Sequence, residues 1–287
     1  MSEEPHARAD DLDTISTSEL LELMNEEDRR AIDTVRDQVI AIARAVELIA
    51  GRLSEGGRLH YFGAGTSGRL AALDAAECGP TFGIGPDVVM AHVAGDGEAE
   101  DDGASGAAEA RSARLTARDV LVAVSASGST PYVLAAVREA RSSGALVIGV
   151  TCAAASALAR EAAVAIELEL GPEVIAGSSR LKAGTAQKVV LNMISTGVFT
   201  RLGHTYRGRM VGVAAANDKQ RKRALKLVAE LTRAGRSDVE RALHESRWNG
   251  KLAVLMLRCK LTAAEAASRL AAAGGNLATA LGEKALR

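Results

Sequence analysis

The segment "RLHYFGAGTSGRLAALDAAECGP" (58–80) contains the pattern G-x-G-x-x-G at Gly63, Gly65 and Gly68. An apolar run of strand length precedes these glycines, and a run with helical spacing follows them. A loop that leads into a helix binds anions, because the first N–H groups of a helix are unpaired and lie at the positive end of its dipole. The segment therefore predicts a strand, an anion-binding loop and a helix, and it leaves open whether the anion is a pyrophosphate, a triphosphate or something smaller.

The same alternation of short apolar runs and helical runs continues on the C-terminal side of this segment. Five runs have strand length: "RLHYF", "DVVMAHV", "DVLVAVS", "ALVIGVT" and "VAIELEL". Strands that alternate with helices predict the α/β class, with a parallel, roughly five-stranded sheet between two layers of helices. Ligands of such sheets collect at the carboxyl ends of the strands, where we expect the loops rich in Gly, Ser and Thr.

The two ends of the chain have helical patterns without strands. Ser16 and Glu19 form a capping box that opens a short helix, and a second helix is expected from near Asp28. Near the C-terminus, Thr262 and Glu265 form another capping box and Asn276 can cap the last helix. We predict three parts, which are N-terminal helices over 1–56, an α/β domain over 57–220 and a C-terminal helical subdomain over 221–287.

Composition excludes several classes of function. The net charge of −1 and the 2% aromatic content give no basis for binding nucleic acid or an acidic membrane surface. The three cysteines are far apart and have no zinc-site spacing, which indicates a reduced, cytoplasmic protein. The polar N-terminus lacks the apolar core of a signal peptide, and we expect no membrane-spanning segment.

A second loop, "SASGST" (125–130), follows the third strand-like run and is also rich in hydroxyl groups. Thr66 and Ser67 supply the hydroxyls of the first loop. Either loop alone is equally well explained as a tight turn with a helix cap. Two such loops at one sheet edge favour a single compact phosphate on a small polar ligand.

Other phosphate-binding and nucleophile motifs fit less well. A dinucleotide site needs one glycine loop and an acidic residue ~20 residues later. The nearest acidic candidate is Asp96, which comes later than that spacing. The chain has no Walker A sequence, and the nucleophile elbow G-x-S-x-G is absent because Gly68 follows Ser67 at once.

Four segments together resemble the N-acetylmuramic acid 6-phosphate etherase family, which has the sugar isomerase (SIS) fold. They are "GAGTSGRLAALDAAECGPTFG", "SASGSTPYVLAAVREAR", "GPEVIAGSSRLKAGTAQKVVLNMISTG" and "AANDKQRKRA", and the resemblance extends over nearly the whole chain. A sister family, the glucokinase regulatory proteins, binds sugar phosphates without converting them. Regulatory binding of that kind and sugar-phosphate isomerisation on the same fold are the alternatives to the etherase function.

The resemblance implies a lyase reaction in which the lactyl ether at C3 of N-acetylmuramate 6-phosphate is cleaved to N-acetylglucosamine 6-phosphate and D-lactate. In the open-chain sugar the aldehyde acidifies the C2 proton, so lactate leaves by elimination and water then adds. This chemistry needs a base, an acid and groups that bind the phosphate. It implies no metal and no cofactor. The expected partner is an amino-sugar 6-phosphate.

Two carboxylates suit the acid and base roles. The resemblance places them at Glu77, the expected proton donor to the ether oxygen, and Glu100, with Glu98 as the alternative to Glu100. The phosphate and sugar contacts that it implies are Thr66, Ser67, Ser127, Ser129, Thr130, Ser178, Ser179 and Lys182. Ser129 stands where the family commonly has arginine, and Lys182 or Arg180 is expected to supply the missing charge.

The spacing of Thr66 and Glu77 has a geometric consequence. If one helix connects them, its rise of ~1.5 Å per residue separates them by ~16 Å. A hexose 6-phosphate is shorter than this between phosphorus and C3. We therefore expect Glu77 to act in the site of a partner subunit, in a homodimer with a shared active site.

Overall fold

The computed structural model describes residues 4–95, 97–212 and 218–283, except the side chain of Lys219. The chain forms two compact units. The first comprises Met1–Ala76 and Pro86–Gly197, and the second comprises Glu77–Gly85 and Val198–Arg287. The helix that follows the first strand and the long helix near residue 190 each pass from one unit into the other.

The first unit contains the predicted parallel sheet. Its strands are β1 (Leu59–Gly63), β2 (Val89–Val93), β3 (Val120–Ser125), β4 (Leu146–Thr151) and β5 (Val164–Glu167). They lie in the order β2-β1-β3-β4-β5, and every neighbouring pair is parallel. The chain direction across the sheet reverses between β1 and β3, and ligands of open α/β sheets bind at such a switch point. The loops that follow β1 and β3 are therefore the ones that the topology favours for ligand binding.

Helices cover both faces of this sheet, which confirms the predicted three layers. They are α1 (Thr17–Asp37), α2 (Val39–Ser54), α3 (Gly65–Phe82), α4 (Gly103–Ser112), α5 (Pro131–Ser142), α6 (Ala157–Glu161) and α7 (Lys182–Arg201). Successive residues of a strand point to opposite faces. Phe62 packs with Tyr132 of α5 on one face, whereas the Tyr61 hydroxyl donates to Asp74 of α3 on the other. Because both faces are covered, every residue of β1 and β3 is buried.

The N-terminal helices differ from the prediction in where they are divided. The capping box of Ser16 and Glu19 is present, but α1 then continues unbroken for 21 residues, and the break falls at Gln38. The expected start near Asp28 is wrong. No glycine or proline interrupts Thr17–Asp37, so nothing in the sequence ends the first helix early.

The second unit is a helical bundle with a small hairpin. Its elements are β6 (Thr205–Tyr206), β7 (Arg209–Met210), α8 (Asp218–Thr232), α9 (Arg236–Glu245), α10 (Gly250–Cys259), α11 (Ala263–Ala272) and α12 (Leu277–Ala280). The predicted capping box at Thr262 and Glu265 and the predicted cap at Asn276 are both confirmed. Within the described residues, no helix is both long enough and apolar enough to cross a membrane.

A row of polar side chains lies under α4 and α5. The Nδ1 atom of buried His60 is 3.0 Å from Nε2 of His92, and Nδ1 of His92 is 3.1 Å from a carboxylate oxygen of Glu109. The other carboxylate oxygen of Glu109 accepts from the Tyr132 hydroxyl. Nε2 of His60 is buried and has no hydrogen-bond partner among the described residues. Burial, with a contribution from His92, lowers the pKa of His60 to about 4.

This buried histidine predicts a loss of stability in mild acid. The unfolded chain binds a proton at His60 near its ordinary pKa of about 6.5, whereas the folded chain does so only near 4, so the free energy of unfolding falls as the pH drops between these values. We expect His60 to account for about 2–3 kcal/mol of loss between pH 7 and 4.5. Urea unfolding of the wild type and of His60→Phe at both pH values measures it, with the exposed His244→Gln as control. Equal pH slopes for wild type and His60→Phe would contradict the prediction.

Candidate active site

The glycines of the first loop allow the backbone of α3 to lie directly on the end of β1. A Cβ atom added at Gly63 would be 2.8 Å from the Cα atom of Gly68, and one added at Gly68 would be 2.7 Å from the Gly63 carbonyl oxygen. Neither position has room for a side chain. The helix therefore begins at the carboxyl end of its strand and directs its first N–H groups at the sheet edge.

Gly65, the middle glycine of the pattern, leaves room for a carboxylate beside this loop. Gly65 has a positive φ of 51°, and a Cβ atom there would lie 2.6 Å from Oε1 of Glu100. Glu100 ends a short 3-10 helix (Gly97–Glu100) and is half-buried, whereas Glu98 is exposed. The geometry thus favours Glu100 over the alternative Glu98 as the carboxylate beside the first loop. Asp96, the acidic candidate for a dinucleotide site, lies outside the described residues.

The second loop is a network of hydroxyl groups at the start of α5. The hydroxyls of Ser125 and Thr130 are 2.8 Å apart, and Ser125 Oγ accepts from the N–H of Gly128. Ser129 donates through both its N–H and its hydroxyl to Ser127 Oγ. Ser127 and Ser129 are exposed, and Thr130 is the N-cap of α5 without a side-chain capping bond. The exposed hydroxyls of Ser127 and Ser129 and the first N–H groups of α5 therefore lie together at the carboxyl end of β3.

The start of α7 lies against the first loop and beside the end of β4. Ser67 is buried and donates to Oε1 of Gln187 at 2.9 Å, and Nε2 of Gln187 lies 3.9 Å from the sulfur of Cys152 at the end of β4. A Cβ atom added at Gly184 would lie 3.5 Å from the Thr66 methyl carbon and 3.3 Å from the Ser179 carbonyl oxygen. The elements that carry Thr66, Ser67 and Ser179 therefore converge.

A cavity of about 460 Å³ opens beside this convergence. Its walls come from the second loop, the ends of β4 and β5 and the start of α7, and include Ala126, Cys152, Glu173 and Ala183. Its volume lies within the range of small-ligand sites. Burial raises the pKa of the Cys152 thiol to about 12, so this thiol is not a nucleophile at neutral pH.

The side chain of Lys182 is already paired. It is buried, and its ammonium forms an ion pair with the buried carboxylate of Glu27, which also pairs with Arg30 at 2.8 Å. Burial alone raises the pKa of Glu27, but the hydrogen bond and the charge of Lys182 hold it below its ordinary value. Of the predicted phosphate contacts, Lys182 is thus the one that the geometry favours least, whereas Arg180, the alternative source of charge, is exposed.

The remaining predicted residues occupy different environments. Ser178 is half-buried in the segment before α7, with its N–H bonded to the carbonyl of Ile175. Glu77 is exposed and lies in the second half of α3. Sequence reasoning missed Gln187 and Glu173, although both lie inside the quoted segment "GPEVIAGSSRLKAGTAQK", because nothing local shows what their side chains contact. No group of His, Cys, Asp and Glu in the described ranges could hold a metal ion.

Comparison with known proteins identifies relatives of nearly the same length. The SIS domain family matches residues 25–152. The chain is 44% identical to an N-acetylmuramic acid 6-phosphate etherase of Cutibacterium acnes, with 97% of this chain and 94% of that protein covered. It is 43% identical to an N-acetylmuramic acid 6-phosphate etherase of Yersinia pestis (strain Pestoides F), with 98% of each covered.

Solved structures agree on the fold. A phosphoheptose isomerase from Francisella tularensis superimposes with a TM-score of 0.52 at 18% identity, covering 65% of this chain and 100% of that chain. An Escherichia coli CFT073 protein in complex with A5P superimposes with a TM-score of 0.51 at 19% identity, covering 68% of this chain and 97% of that one. The sheet and its flanking helices therefore form the SIS fold.

Proposed function

This chain belongs to the N-acetylmuramic acid 6-phosphate etherase family, and we propose that the site at its sheet edge performs the etherase reaction through two glutamates. The protein is a carbon–oxygen lyase that cleaves the lactyl ether of N-acetylmuramate 6-phosphate. The products are N-acetylglucosamine 6-phosphate and D-lactate. The observation that supports this site is that the loops after β1 and β3 are neighbours at one sheet edge and that the Glu100 carboxylate lies against Gly65 of the first loop.

The reaction proceeds by elimination and addition on the open-chain sugar. A base removes the proton at C2, the electron pair forms the C2–C3 double bond, and the C3–O bond breaks. An acid protonates the ether oxygen, so lactate leaves as an alcohol. Water then adds across the double bond, placing hydroxyl at C3 and a proton at C2. Both proton transfers suit carboxyl groups that are positioned within hydrogen-bond reach of the sugar.

The phosphate binds between the starts of α3 and α5. Both helices begin at the switch point of the sheet, where their first N–H groups and the loop hydroxyls face the same edge. Thr66 contributes from the first loop, and Ser127, Ser129 and Thr130 contribute from the second. Ser178 and Ser179 contact the sugar from the segment before α7. Ser67 supports the first loop through its bond to Gln187.

Glu100 acts as the base from the same chain. Its carboxylate lies against Gly65, one residue before the hydroxyl of Thr66, so it faces the first loop from the side of β2. Glu77 acts as the acid from the other subunit. It lies along α3 at ~16 Å from Thr66, which is too far for one hexose phosphate to touch both.

Exposed apolar side chains support a dimer with a shared site. Leu73 is 54% exposed and lies one helical turn before Glu77, so it shares a face of α3 with this glutamate. Ile40 of α2 is 85% exposed, and Leu21 and Ile32 of α1 are 57% and 44% exposed. Burial of such side chains against a second chain would remove apolar surface from water. We propose that a second copy of the chain covers these residues and that Glu77 extends into the site of that second copy.

The direct test is incubation with N-acetylmuramate 6-phosphate and an assay for D-lactate. We expect one D-lactate and one N-acetylglucosamine 6-phosphate per substrate consumed. An isomerase would convert hexose phosphates without releasing lactate, and a glucokinase-regulator-like protein would bind sugar phosphate without consuming it. Either of these results would reject the etherase assignment.

Replacing Gly65 by alanine tests the position of Glu100. The added Cβ atom must displace the carboxylate, which lies 2.6 Å away, and the backbone keeps a positive φ that alanine disfavours. We expect a loss of about 1–2 kcal/mol in the free energy of unfolding. We also expect kcat to fall by about 10-fold or more, because small displacements of a catalytic group are costly.

Gly51→Ala is the matched control, because it lies within α2 and an added Cβ atom there meets no atom within 4 Å. This substitution should stabilise the fold by about 0.5–1 kcal/mol and leave kcat unchanged. A wild-type kcat for Gly65→Ala would mean that Glu100 has no catalytic role beside this loop.

A further inference from the structure

One buried carboxylate at the edge of the cavity has no part in the acid and base chemistry described above. Glu173 lies in the connection between β5 and α7, is 1% exposed and forms part of the wall of the cavity. Its Oε1 accepts from the N–H of Ala183 at 2.9 Å, and its Oε2 accepts from the N–H of Lys182 at 3.2 Å. The start of α7 therefore already binds an anion, and this anion belongs to the protein.

This contact occupies the groups at the start of α7 that would otherwise bind an anion. Where a carboxylate occupies the N–H groups of a helix, they cannot bind a phosphate, and its negative charge repels one. At the start of α5 the N-cap Thr130 forms no side-chain capping bond, and at the start of α3 the Glu100 carboxylate lies beside Gly65. Glu173 thus keeps the substrate's phosphate away from the start of α7.

The same contact fixes the helix that supports the first loop. Gln187 lies one turn beyond Ala183 on the same face of α7 and accepts the hydrogen bond of Ser67. Gly184 lies between them, against the methyl group of Thr66. A displacement of the start of α7 would be transmitted to the hydroxyls of the first loop through these two contacts.

Charges around the junction hold Glu173 in place. The ammonium of Lys182 extends to Glu27 of α1, so the residue whose N–H binds Glu173 is itself anchored by its side chain. Burial raises the pKa of Glu173 above its ordinary value, and the two N–H bonds and the charge of Lys182 oppose that rise. Asp28 of α1 is the other charged group that acts on it.

We propose that Glu173 is a positioning residue of the etherase, which holds the start of α7 so that the first loop is aligned and the phosphate is kept from the N–H groups of α7. The proposal rests on the etherase function proposed above. It predicts a defect mainly in kcat, because the phosphate-binding groups remain while their alignment with the catalytic groups is lost. Misplacement of about 1 Å is sufficient for a loss of about 100-fold.

The experiment compares Glu173→Ala and Glu173→Asp with wild-type protein at equal folded fraction, determined from the unfolding curve of each variant. We expect kcat for D-lactate release to fall about 10- to 100-fold in Glu173→Ala while KM changes less than about threefold. Sodium formate, which fits the vacated space and can accept both N–H bonds, should restore at least part of the lost kcat. Glu161→Ala is the control, since this glutamate pairs with Arg138 beside the start of β4.

The possible results separate this proposal from the etherase function. Wild-type kcat in Glu173→Ala, or a reduced kcat that formate does not raise, overturns the positioning role. If Glu173→Ala does not fold, Glu173→Asp decides by its kcat, because its carboxylate is one methylene short of the helix and should lose at least about 5-fold. A wild-type protein that releases no lactate refutes the etherase function instead.

Discussion

Replacing Glu77 by glutamine is expected to lower lactate release by about 10³-fold, because the ether oxygen then receives no proton from this side chain as the C3–O bond breaks. Glutamine has nearly the same volume and remains neutral, so the fold and the binding of the phosphate should be unchanged. Because Glu77 is exposed at the surface of α3, the change should alter the free energy of unfolding by less than about 0.5 kcal/mol. Steady-state kinetics with N-acetylmuramate 6-phosphate measures the loss.

Two further measurements show whether this loss is chemical. Binding of N-acetylglucosamine 6-phosphate by calorimetry should be within about threefold of the wild type, because the phosphate and sugar contacts are intact. The control is Glu245→Gln, which removes a similarly exposed carboxylate at the end of α9 and should leave kcat unchanged. A Glu77→Gln protein that releases lactate at more than about a tenth of the wild-type rate would exclude Glu77 as the proton donor.

Mixing two inactive variants is expected to restore activity. One chain carries Glu77→Gln and keeps its phosphate loops, and the other carries Ser127→Glu, whose new charge repels phosphate from the second loop, and keeps Glu77. In a shared-site dimer, half of the dimers are mixed and each mixed dimer has one complete site. Lactate release should therefore reach about a quarter of the wild-type rate after subunit exchange.

Controls for this experiment follow from the same geometry. Each variant alone should remain below about 1% of the wild-type rate, and a mixture kept from exchanging subunits should behave as the sum of the two. Adding Ile40→Glu to both chains places a charge on the exposed apolar surface of α2 and should prevent recovery by weakening the dimer. Activity that never recovers in mixed dimers of wild-type stability would show that Glu77 does not act across the interface.

Much of the architecture follows from local sequence patterns. Each of the five predicted strands is present, and the loops after β1 and β3 lie at the same sheet edge. The capping boxes at Ser16 and Thr262 are also present. These features depend on residues that are near one another in the chain, so their periodicity and cap residues are visible without the fold. The break expected near Asp28 was wrong. No glycine or proline ends a helix there, and α1 continues to Asp37.

Some residues of the candidate site can be identified from local sequence, and others only from contacts between distant parts of the chain. The hydroxyl loops can be chosen from the sequence, because each belongs to a short motif with recognisable chemistry, whereas the candidate glutamates are implied by the family resemblance. The choice of Glu100 over Glu98 needed the fold, since only the structure shows which of these carboxylates lies against Gly65. The structure also makes Lys182 a weaker candidate for a phosphate contact. Its side chain pairs with Glu27, and a partner 155 residues away could not be identified from the sequence.

The sequence by itself determined the order of strands and helices, the two hydroxyl-rich loops that follow β1 and β3, and the phosphate chemistry that such loops suit. Only the tertiary structure decided which side chains are engaged with one another. Ser67 bonds Gln187 across 120 residues, Lys182 bonds Glu27 across 155, and Glu173, in the connection that precedes α7, accepts from the N–H of Ala183. Backbone preferences act over a few residues and leave a periodic trace in the sequence, whereas a buried polar group is satisfied by whatever group the packing of the whole unit brings within about 3 Å of it.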